Sequence, residues 1–166
     1  MARRLTIVEA RTRPDDAPAL AALQRAEWGH LYPDETLDDA IAELRTWRDD
    51  ATDPERLLLS WFALVDDESV GVIMVRGAGE LEPDDAARLP GPWLAGLVVR
   101  PEHRGSGIAS ALMDHATARA AAMGITRLRL VTEHEVEFHA RRGWEIEATV
   151  LLAGHPNTVM LTTLAP

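Results

Sequence analysis

The chain has 166 residues, 46% of them hydrophobic and 27% charged, with 17 basic residues against 27 acidic and no cysteine. A chain of this length buries enough surface to fold without a disulfide or metal staple, and without cysteine it has no thiolate zinc site and no cysteine nucleophile. The formal charge of -10 argues against a nucleic-acid surface, which needs clustered positive charge, and no apolar run is long enough to span a membrane.

A cationic partner therefore fits better than an anionic one. The apolar run after Arg3-Arg4 stops too soon for a signal peptide, so a cytoplasmic protein is expected. Without repeats or a Gly/Ser linker, residues 1–166 read as one domain.

Residues 3–10 alternate as a first strand, after which Asp15 or Asp16 is placed to cap a helix through about Trp28, with Pro18 in its first turn. Thr36 and Asp39 form a capping box, followed by Leu37, Ile41, Leu44 and Trp47 at helical spacing. Leu57–Val65 and Val70–Val75 are apolar runs joined by Asp66-Asp67-Glu68-Ser69, an antiparallel hairpin. Residues 76–92, rich in Gly, Pro and acids, read as a loop, and Trp93–Val99 as the next strand.

A helix then begins within Arg104-Gly105-Ser106-Gly107-Ile108-Ala109. Its stripe of Ile108, Leu112, Ala116 and Ala120 ends at Gly124. A strand over 126–131 and a short helix from Glu133 to Arg142 follow. Trp144–Leu152 and Thr158–Leu164 are then read as strands around a Gly154-His155-Pro156-Asn157 turn. The order implies an α/β fold with a mixed, mostly antiparallel twisted sheet flanked by helices.

Strand, glycine loop, helix is the segment that carries chemistry. Two glycines let the backbone bend and approach a ligand closely, and the free N–H groups at a helix start attract an anion such as phosphate. Arg104, with Arg100 and His103 nearby, supplies local positive charge in an acidic chain. The six histidines are scattered, without the short pair spacing of a zinc site, so no metal set is expected.

The Arg104-Gly105-Ser106-Gly107-Ile108-Ala109 segment resembles the Arg/Gln-x-x-Gly-x-Gly/Ala motif of the GCN5-related N-acetyltransferase (GNAT) family. Leu97-Val98-Val99 resembles that family's cofactor strand, and Phe138 with Gly143-Trp144 its Phe-Tyr-x-x-x-Gly-Phe ending. The element order agrees over nearly the whole chain.

The resemblance implies a single GNAT-like domain that takes acetyl-CoA and passes the acetyl group to a primary amine of a small molecule or peptide by direct attack. Backbone groups of Leu97 and Val99 would pair with the pantetheine arm, and either N–H would polarise the thioester carbonyl. A bulge around Ala95–Leu97 would help to open a V-shaped gap to the next strand. The N–H groups from Arg104 to Ala109 would seat the diphosphate. Homodimers, common in the family, are compatible with the chain.

Where many members carry a tyrosine acid, this chain has His139; an imidazole is able to donate a proton near neutrality. An Asn common near that helix's start is replaced by His134. The cofactor strand has no acid, so a base must come from elsewhere: Glu133 is the first candidate and His134 the second. Trp28, His30 and Tyr32 fall where the family builds its acceptor wall, and Glu80, Glu82, Asp84 and Asp85 offer negative charge to a cationic acceptor. The missing tyrosine and strand acid motivate an alternative, a catalytically quiet acyl-CoA-binding regulatory module.

Overall fold

A computed structural model describes residues 3–166 of the chain. Its strands are β1 (Leu5–Glu9), β2 (Leu58–Val65), β3 (Glu68–Arg76), β4 (Trp93–Val99), β5 (Arg127–Thr132), β6 (Glu145–Leu152) and β7 (His155–Thr163). Its helices are α1 (Ala17–Trp28), α2 (Leu37–Arg45), α3 (Pro83–Arg88), α4 (Ile108–Ala122) and α5 (Val136–Ala140). The strands form one open mixed sheet in the order β1-β2-β3-β4-β5-β7-β6. β4 and β5 run parallel, and the other neighbours are antiparallel.

The apolar run of β2, broken only by the buried Ser60, has a plain cause, since both faces of this strand are covered. Leu58, Phe62 and Leu64 pack towards α1 and α2 through Leu20, Ala21, Ala40 and Leu44. The intervening Leu59, Trp61, Ala63 and Val65 pack towards α4 through Ile108, Leu112, Met113 and Ala116. The period of two thus deals alternate residues to two helical layers. Each fully buried large side chain contributes about 1.5–3 kcal/mol, and truncating Leu112, which is wholly buried, to Ala should cost about 2–5 kcal/mol.

Local chemistry sets several boundaries. The Asp39 N–H donates to Thr36 Oγ1 at 3.1 Å and the Thr36 N–H to Asp39 Oδ2 at 3.0 Å, closing the capping box that starts α2. Asp16, by contrast, does not cap α1. Its Oδ2 accepts from Ser69 Oγ at 2.6 Å and Arg13 Nε at 2.7 Å, tying the helix entry to the β2–β3 hairpin.

Four sequence boundaries are corrected. Residues 76–92 hold α3, with Pro83 at its first turn and Asp84 and Asp85 beside it; the Gly and Pro content around it hid the signal. α2 ends at Arg45, so Trp47 lies outside it and stacks edge-to-face on Trp61 at 5.7 Å. α5 is shorter than the expected 133–142. The last hairpin turns at Ala153-Gly154, both at positive φ, and β7 resumes at His155. Pro156 is tolerated there because β5 pairs with β7 only from Thr158 onward, which leaves no neighbour on that side for a missing N–H.

Candidate active site

The cleft lies where β4 and β5 part. They pair only at Trp93↔Arg129, and the closed end of the V is clamped by the buried Arg129. Its Nε and Nη2 donate to Glu147 at 2.7 and 2.9 Å, and its Nη1 reaches the Pro90 carbonyl. Beyond Trp93 the edge of β4 facing β5 is open.

On its other side, β4 pairs with β3 through Val72↔Val98 and Met74↔Ala95, a register shift that leaves Gly96 and Leu97 in a bulge. Gly96 takes φ +65° there, a left-handed conformation that glycine adopts without strain. Its carbonyl accepts from Gln24 Nε2 of α1 at 2.9 Å, a contact the sequence did not suggest.

At the open end of β4 the chain makes a short turn at Pro101–His103 and then the glycine loop. Gly105 (φ +76°) and Gly107 (φ +83°) are both left-handed, and Gly107 starts the 15-residue α4. A Cβ built on either glycine would meet nothing within 4 Å. The glycines are therefore required by backbone conformation, and the space beside them is free for a ligand. Arg104 Nε donates back to the Val99 carbonyl at 2.9 Å, and Ser106 Oγ to the His103 carbonyl at 2.6 Å, which ties the loop to the strand. Arg100 is not part of this site: its Nε donates to the Ser69 carbonyl at 3.0 Å on the far hairpin.

A cavity of about 610 Å³ runs from Arg104, Gly105 and Ala109 past Leu97, Val98 and Val99 to α1 and the turn after it. His139 lines it, only 8% exposed, between Phe138 and Trp144, with Nδ1 buried and unpartnered. Burial first, and the nearby Arg142 charge second, lower its pKa to about 4. At pH 7 only about one molecule in a thousand carries the imidazolium. The sequence expectation of a proton donor near neutrality does not suit this environment.

Glu133 follows β5 and lines the cavity. Its Oε1 lies 3.0 Å from His30 Nε2 and 2.8 Å from His134 Nε2. The His30 hydrogen bond holds its carboxyl below the usual range against a smaller opposing effect of desolvation, with the charges of His30 and His134 assisting.

The opposite wall carries three carboxylates, of which sequence reading singled out only Glu80. Glu35, Glu43 and Glu80 bring carboxylate oxygens within 4.8 Å of one another. Arg76 Nη2 reaches Glu43 at 3.0 Å and Nη1 reaches Glu80 at 2.6 Å. Burial lowers the Arg76 pKa, but Glu43 and Glu80 hold it above its ordinary value. Burial raises the carboxyl pKa of both Glu35 and Glu43, and it pushes Tyr32 to about 12. Of the acidic residues singled out between 76 and 92, Glu80 lines the cavity, whereas Glu82, Asp84 and Asp85 do not. Glu35 and Glu43 were missed because nothing in their spacing relates them to Glu80.

The described residues contain no helix long and apolar enough to cross a membrane. The fold matches an aminoglycoside 6'-N-acetyltransferase solved with coenzyme A, 22% identical with a TM-score of 0.70 over 97% of this chain and 98% of that one. It also matches Ard1 from Thermoplasma volcanium, 18% identical with a TM-score of 0.70 over 98% and 99% of the two chains. A third likeness, 17% identical with a TM-score of 0.70, places all of this chain on 36% of the N-acetylglutamate synthase from Neisseria gonorrhoeae, solved with coenzyme A and N-acetyl-glutamate. These are likenesses of fold. No curated protein matches the sequence. Residues 17–144 match the acetyltransferase (GNAT) family, and with the bulged strand, the split sheet and the glycine loop in place the chain belongs to that family of acetyl-CoA-dependent acetyltransferases.

Proposed function

We propose that the protein moves an acetyl group from acetyl-CoA to a primary amine of a cationic small molecule or peptide by direct attack. The observation that carries this reading is the acidic wall of Glu35, Glu43 and Glu80 in the same cavity as the bulged strand. When bound, acetyl-CoA supplies an activated acetyl thioester.

The residues fit that group. The open edge of β4 at Leu97, Val98 and Val99 offers backbone partners to an extended arm, and the loop Arg104, Gly105, Ser106, Gly107, Ile108 and Ala109 offers main-chain N–H groups to a diphosphate. The acidic wall draws in and orients the acceptor. Proximity then does much of the work, since well-oriented groups reach effective molarities of about 10⁵ M or more.

An alkylammonium with pKa near 10.4 must lose a proton first, at a cost of roughly 4–5 kcal/mol at pH 7. A carboxylate held below its usual range is a poor acceptor for it. This favours the second candidate read from sequence over the first: the His134 imidazole, its Nε2 2.8 Å from Glu133 Oε1, takes the proton. His139, held towards its neutral form by burial, serves as a wall of the cavity instead of a store of protons.

Release of free CoA thiol is the test, measured with purified protein and acetyl-CoA against polyamines, aminoglycosides, amino acids and peptides. Amine-dependent release that is strongest for polycations is expected. Tight acetyl-CoA binding without turnover on any amine would replace this reading with the quiet regulatory module.

A further inference from the structure

Two of the six histidines, far apart in sequence, meet around one carboxylate. His30 sits in the turn after α1, Glu133 at the exit of β5, and His155 at the first position of β7. His30 Nε2, His155 Nδ1 and the Glu133 carboxylate lie within 4.8 Å of one another. We propose that this trio is a binding site for one divalent first-row transition metal, with Zn²⁺ the first candidate. It staples the α1–α2 turn to the β6–β7 hairpin beside the acceptor end of the cleft.

The donor set suits that class. Two imidazoles and one carboxylate form a mixed nitrogen and oxygen set that favours zinc, cobalt or nickel over magnesium or calcium, which prefer oxygen alone. Around a tetrahedral zinc at about 2.0–2.1 Å, ligand atoms stand roughly 3.4 Å apart. The observed separations close to that value with shifts of about 1 Å, within the reach of side-chain rotation.

Hydrogen bonding alone leaves the arrangement unfinished. Of the three imidazoles only His30 hydrogen-bonds the carboxylate, at 3.0 Å; His134 Nε2 stands 2.8 Å from the same Oε1 without hydrogen-bond geometry, and His155 Nδ1 stands 3.7 Å from Oε2, too far for one. The His30 and His155 rings meet edge to face at 5.2 Å.

Each ligand also rests on an ordered segment. The Glu135 N–H donates to Thr132 Oγ1 at 2.9 Å, fixing the β5 exit on either side of Glu133. Leu31, next to His30, is buried against Trp93 and Val150. Asn157 Nδ2 donates to the His155 carbonyl at 3.1 Å. Such support holds a metal site together before the ion arrives. Glu133 is 14% exposed, but His30 and His155 are 44% and 50% exposed, which leaves an entry path and room for water as a fourth ligand.

The test uses the full chain without a histidine tag, freed of metal by chelation, with neither acetyl-CoA nor amine present. Its failure is therefore separate from failure of the acetyltransferase reading. Co²⁺ is titrated while its visible ligand-field bands are followed, and Zn²⁺ is followed by calorimetry. The expected result is one ion per chain, Co²⁺ displaced by Zn²⁺, and affinity lower by about tenfold or more in His30→Ala and in His155→Ala. Both residues are exposed, and circular dichroism confirms that the variants fold. Glu133→Gln, which keeps the shape and removes the charge, should weaken binding similarly. No uptake, or uptake of equal affinity in all three variants, overturns the proposal; the second outcome would place the ion elsewhere.

Discussion

The two ends of the cleft are built from different materials. At the end where we propose the coenzyme binds, the work is done by main chain: a glycine at φ +65° makes the bulge, and glycines at φ +76° and +83° shape the loop. At the end where we propose the acceptor binds, it is done by side chains that converge from distant segments: Glu35, Glu43 and Glu80, and Glu133 with His30 and His155 gathered beside it. A backbone-built site needs particular residue types at fixed local spacing. A site built from converging side chains does not.

The largest expected effect breaks the coenzyme end. Gly107→Val forces a β-branched residue into a left-handed conformation and aims methyl groups into the space where a diphosphate would sit. Strain of about 1–2 kcal/mol and steric loss together should weaken acetyl-CoA binding by roughly a hundredfold, read by calorimetry. Because the added Cβ meets nothing within 4 Å, the fold should survive. Retention of wild-type affinity would mean that the loop does not seat the coenzyme.

The next effect lies at His139, between the two ends. With a pKa of about 4 in the fold, against about 6.5 in the unfolded chain, the unfolded state binds more protons between those values. The stability contributed by His139 is therefore complete above pH 6.5 and lost as pH falls towards 4. The ceiling is about 3 kcal/mol, and a working value after partial solvation is about 2 kcal/mol. His139→Phe should flatten that limb in melts taken between pH 7 and 4. The same variant should leave the neutral limb of the pH–rate profile in place, because a neutral ring supplies no titration there.

What could be read from sequence follows the same division. The capping box and the loop from Arg104 to Ala109 were legible because each depends on neighbours in the chain, whereas the mixed sheet followed from the element order and the bulge around Ala95–Leu97 from the family resemblance. The last hairpin was misplaced because a Gly-His-Pro-Asn run has strong turn propensity. The actual Ala153-Gly154 turn is set by pairing of Leu152 with His155 across the hairpin. Glu35 and Glu43 were invisible because their partnership with Glu80 exists only after α1, α2 and β3 have packed. The histidines read as scattered for the same reason, since His30 and His155 are separated by most of the chain.

Smaller effects sharpen the acceptor end. Glu35 is the least neutralised member of its wall: Arg25 Nη1 stands 3.9 Å away, whereas Glu43 and Glu80 both contact Arg76 closely. Glu35→Gln should raise KM for a polycationic amine about tenfold, equivalent to about 1.4 kcal/mol, with little change in acetyl-CoA affinity. A monoamine should be affected less, and added salt should narrow the difference.

Glu43→Gln carries the smallest effect and the most pointed question, whether the carboxylates are there for an acceptor or for Arg76. Burial raises the Glu43 pKa despite the adjacent guanidinium, so ionised Glu43 is a net cost to the fold. Its favourable contribution is present below the unfolded pKa and lost as pH rises through the folded one. Replacing it by Gln should therefore be neutral or stabilising by less than about 1 kcal/mol at pH 7, with Glu80 still paired to Arg76 at 2.6 Å. If thermal melts instead show a loss of about 3 kcal/mol or more, Glu43 is the indispensable counter-ion of a buried arginine. The wall would then be a structural network first, and the negative charge offered to an acceptor would fall largely to Glu35.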